Sequence, residues 1–70
     1  MNPATMSINE TIERFRQTAL RSLDAVKHCD MKPHEKEVDT RLRNTIPADW
    51  SVQDMSIIIN TDKRINHPKP

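Results

Sequence analysis

Residues Trp50–Asn60, "WSVQDMSIIIN", begin as a helix begins and end as a strand ends. Ser51 and Asp54 make an S-x-x-D start signal. In that pattern the serine oxygen accepts from the N–H three residues on, and the carboxylate favours the positive end of the helix dipole. In a helix, Val52, Met55 and Ile59 share a face, Ile58 flanks it and Ile57 points away. In a strand, Met55, Ile57 and Ile59 alternate with Ser56, Ile58 and Asn60. Periodicity does not separate the two in a run this short. The cap decides for a helix. So does the rest of the chain, which holds no second β-rich run for a strand to pair with. Residues 55–60 as an intermolecular strand are the alternative. In either form one isoleucine face exceeds what a thin core uses, and an apolar surplus on a small chain marks an interface. Trp50, Met55, Ile57, Ile58 and Ile59 are therefore expected to carry self-association.

Upstream, Pro47 stops a helix, and Ile46–Trp50 reads as a turn or as the first turn of another helix. Val38, Leu42 and Ile46 recur every fourth residue, with Met31 one step before. They predict a helix from about Pro33 to Thr45. Pro33 suits its first position, and Glu35 and Glu37 complement the dipole in its first turns. Earlier still, Ile8, Ile12, Phe15, Ala19, Leu23 and Val26 form one stripe, which Leu20 widens at its edge. Glu13, Gln17, Arg21, Asp24 and His28 lie opposite. With a Ser7–Glu10 capping box, this predicts a helix from about Ile8 to His28, ended ahead of Pro33. The join between these two helices is short, which favours an antiparallel hairpin.

The expected fold is all-α: a helical hairpin plus a third short helix, forming a small three-helix bundle. Residues 1–6 are expected to be a flexible leader, 7–62 a single small helical domain and 63–70 a polar flexible tail. Seventy residues allow one domain with a marginal core. Cys29 is the only cysteine, so no internal disulfide supplements that core. Oligomerisation, as a homodimer or larger, is the expected supplement.

The formal net charge is +1, and the charges are evenly spread. Residues 1–30 carry four basic and four acidic side chains, 31–46 four and three, and 47–70 three and three. No block of like charge forms a polyanion footprint or a membrane anchor. The chain has no glycine, which excludes a P-loop and a G-x-G-x-x-G turn. Phe15 and Trp50 are its only aromatics, too few for a base-stacking platform. No apolar stretch suits a signal peptide or a bilayer span, and one unpaired cysteine suits a reducing compartment. The expected location is cytoplasmic, with no membrane partner.

His28, Cys29, Asp30 and His34 are the only metal-like cluster. Their spacing is poor for zinc: His28 and Cys29 are adjacent and diverge on a helix, and His34 lies beyond Pro33. A Cys29–histidine nucleophile pair would need a base within reach and a site that excludes water. A glycine-free three-helix chain offers little concavity for one. No metal, cofactor or catalytic residue is expected, and the protein is not expected to be an enzyme. The expected function is a small protein-binding regulator, an adaptor or stoichiometric inhibitor that docks a helical surface on a larger protein. Arg41, Arg43, Lys63 and Arg64 are the expected partner surface. The alternative is a small DNA-binding transcriptional regulator of helix-turn-helix type, a format that three short helices fit. Against it, a near-neutral chain has little phosphate attraction. Glu10, Glu13, Glu35 and Glu37 are expected on exposed faces, serving solubility.

Overall fold

Ser51 caps a helix. Its Oγ accepts from the Asp54 N–H at 3.1 Å, and the chain runs on from Val52 to Asn66 without a break. The computed structural model describes residues 8–67. It comprises α1 (Ile8–Ala25), α2 (Pro33–Arg43) and α3 (Val52–Asn66), with one 3-10 turn at Pro47–Asp49 ahead of α3. Among the described residues there is no strand, so the intermolecular strand at 55–60 is replaced by the middle of α3. The expected leader, the Ser7–Glu10 box and residues 68–70 of the expected tail lie outside the described residues.

Both earlier helices pack chiefly against α3, giving a small three-helix bundle with the last helix at its centre. Ser22 Oγ donates to Asp62 at 3.4 Å, and Asn66 Nδ2 donates to the Ala25 carbonyl at 3.1 Å. At the other end, Val52 shares a hollow with Thr11, Ile12 and Phe15. These pairings run α1 parallel to α3. Arg41 meets Asp54 while Glu35 meets Thr61 and Arg64, so α2 runs antiparallel to both. The core is Ala19, Leu23 and Val26 from the α1 side, Val38 and Leu42 from α2, Trp50, and Met55, Ile58 and Ile59 from α3.

The three isoleucines now have a geometric account. Consecutive helical residues turn by about 100°, so Ile57 to Ile59 sweep about 200°. A helix with one neighbour uses about half of that arc, and a helix between two neighbours uses all of it. Ile57 lies on the α2 side with Thr61, Ile59 on the α1 side with Met55, and Ile58 in the seam. Ile58 and Ile59 are buried within the chain, and Ile57 is partly buried against the core.

Tertiary anchors also carry α3 four residues past the expected end at 62. Arg64 reaches Glu35, Ile65 packs on the core and Asn66 holds α1, so Lys63–Asn66 is helical and not tail. The other two helices end earlier than expected, at Ala25 and Arg43. Trp50 caps α2: its indole N–H is shared between the Leu42 and Thr45 carbonyls at 3.0 Å each. That satisfies carbonyls the helix end leaves open. Ile8, Ile46 and Val52, expected in the core, are 79%, 64% and 54% exposed.

At the end of α1 the ladder tightens, with Lys27 N–H donating to the Asp24 carbonyl at 3.3 Å, and His28 takes φ 69°. Glycine is the usual residue for this left-handed exit, and a residue with a Cβ is disfavoured there by about 1–2 kcal/mol. Glycine also loses more freedom on folding, so His28→Gly should stabilise the fold by a net of about 1 kcal/mol. The expected readout is a Tm raised by about 4–8 °C. A lowered Tm would contradict strain at this position.

Candidate functional site

The side chains expected to meet other molecules are mostly engaged within the chain. Trp50, Met55, Ile58 and Ile59 are buried within the chain, and Ile57 is partly buried against the core. Arg41 holds Asp54 through Nε at 2.7 Å and Nη2 at 2.9 Å. This hydrogen-bonded pair pulls the Asp54 carboxyl below its ordinary range, against the opposing effect of burial, and raises the Arg41 guanidinium. Arg43 bridges to Asp39 at 2.9 Å and donates through Nη2 to the Leu23 carbonyl at 2.6 Å. It thereby ties the last turn of α1 to α2. Of the four expected partner residues, Lys63 lies exposed and, among the described residues, in no ion pair.

Arg64 clasps Glu35 with Nε, at 3.2 Å, and with Nη2. Glu35 is only 5% exposed, which corrects its placement on an exposed face. Its position explains why. As the third residue of α2 it reaches back to the Lys32 N–H at 2.8 Å, as the acid of a capping box does. On its far side it accepts from Thr61 Oγ1 at 3.1 Å. Burial alone would raise this carboxyl. Hydrogen bonds from Arg64, Lys32 and Thr61, with the Arg64 charge, outweigh burial and lower it from 4.5 to about 2. The network has every buried polar side-chain atom satisfied among the described residues. It is a clip between α2 and α3.

His28, Cys29, Asp30 and His34 are not brought together. Among the described residues, no three His, Cys, Asp or Glu side chains converge to hold a metal ion. Cys29 sits at the core edge, its Sγ 3.6 Å from the Ala25 carbonyl. Among the described residues no helix is long and apolar enough to cross a membrane.

What remains open is the first half of α1. Its apolar stripe begins at Ile8, but α3 begins to cover it only where Val52 stands beside Thr11, Ile12 and Phe15. Ile8 is left bare, Ile12 and Phe15 are half-buried, and Val52 shows half its surface. Thr11, Ile12, Phe15 and Val52 line a hollow of about 210 Å³. Leu20 and Ile46 add exposed apolar surface on the flank where Arg16 Nε donates to the Pro47 carbonyl at 3.0 Å. One sequence signal bore on this face: the stripe of the first helix is longer than the segment starting at Val52 needs for its own core. The i, i+4, i+7 spacing of Ile8, Ile12 and Phe15 is the spacing by which an amphipathic helix anchors to a partner.

No protein family, curated protein or solved structure matches the chain.

Proposed function

We propose that this protein is a small non-enzymatic binding regulator, an adaptor or stoichiometric inhibitor, that docks on a larger protein through the apolar end of α1. The carrying observation is the uncovered face of Ile8, Ile12, Phe15 and Val52, contributed by two helices packed side by side. Fully burying one such aliphatic side chain contributes about 1.5–3 kcal/mol. Three or four of them around a hollow therefore suffice for a regulatory contact of modest affinity. A second copy seated on the same face is the homo-oligomeric form of this proposal. The helix-turn-helix alternative draws little support from the arginines, because Arg41, Arg43 and Arg64 already have carboxylates of their own.

Val52→Asp tests the proposal, because Val52 is exposed at the first turn of α3 and its loss leaves the core intact. The wild type and the variant serve as baits in parallel, with circular dichroism as the folding control. Light scattering of each at matched concentration reports self-association. The expected result is a protein species, or a second copy, held by the wild type and reduced at least about tenfold in the variant; a loss of that size is 1.4 kcal/mol or more. Equal capture by both baits would overturn the proposal. Salt-sensitive retention of duplex DNA by both would favour the alternative.

A further inference from the structure

We draw no further inference here: the strongest candidate, the uncovered apolar hollow between the first half of α1 and Val52 of α3, belongs to the face already described, and nothing in the structure shows what covers it.

Discussion

Ile58→Asp is expected to unfold the chain outright, with loss of helical circular dichroism at 25 °C. Ile58 is fully buried in the seam where α3 meets both neighbours. An aspartate there finds no partner among Ala19, Leu23, Val38, Leu42 and Met55, and an unpaired buried charge costs several kcal/mol. A core this small rarely supplies more than about 3–5 kcal/mol in total, so the loss exceeds what is available. Ile57→Asp is the informative partner experiment. Ile57 is only partly buried, and a carboxylate there can turn to solvent. That variant is expected to stay folded with a lowered Tm. The contrast separates a core role from an interface role. Had these isoleucines served self-association, both variants would remain helical and differ from wild type only in mass by light scattering. A folded, smaller Ile58→Asp species would therefore refute the internal assignment.

The second large effect is expected at Glu35. Glu35→Gln keeps the shape but removes the charge that Arg64, Lys32 and Thr61 are arranged to meet. The Glu35 carboxyl is lowered in the folded chain to about 2 from 4.5. A lowered carboxyl binds its proton less readily in the folded state than in the unfolded one. Its contribution is therefore full above pH 4.5 and drains away as the pH falls from 4.5 towards 2. Solvent around Arg64 screens the pair, which leaves about 2–3 kcal/mol at neutral pH. At pH 7 the variant should melt about 10 °C or more below wild type. That gap should close as both are titrated from pH 4.5 to pH 2. Asp54, lowered by Arg41, titrates in the same direction in both proteins, so the difference between them isolates Glu35. A gap that stays constant through this window would show that the loss at pH 7 comes from packing and not from the ion pair.

These two residues also mark where the sequence is legible and where it is not. The local punctuation is readable. Ser51 caps, Pro33 starts a helix and Pro47 follows one, and each acts through backbone geometry within a few residues. Those signals, with the α1 stripe, suffice for an all-helical three-element fold. The arrangement of the elements is less readable, because it depends on which helix lies in the middle. An apolar pattern shows how much face a helix buries and not how many neighbours share it. Ile57–Ile59 therefore looked like excess, when it is the double-sided surface of a central helix. The polar run after Asn60 gave no sign of continuing the helix. What extends it is tertiary: Thr61 and Arg64 on Glu35, Ile65 on the core, Asn66 on the end of α1. Glu35 itself looked like any surface acid, since burial of a charge depends on partners 26 and 29 residues away. The open face was hidden for the converse reason. Ile8 and Val52 carry the pattern of core residues, and only the point at which α3 starts leaves them uncovered.

The central place of α3 also bears on how the protein is made. Translation delivers the chain from the N-terminus at about 5–20 residues per second. α1 and α2 are thus complete while the helix against which both chiefly pack has yet to emerge. Short helices without a tertiary partner are marginal in water, so residues 8–43 have little reason to hold their shape on the ribosome. Their stripes lack their main covering surface until Val52–Asn66 has been made. Interruption of synthesis before α3 removes the helix against which both α1 and α2 chiefly pack, and with it most of the burial that holds their apolar stripes.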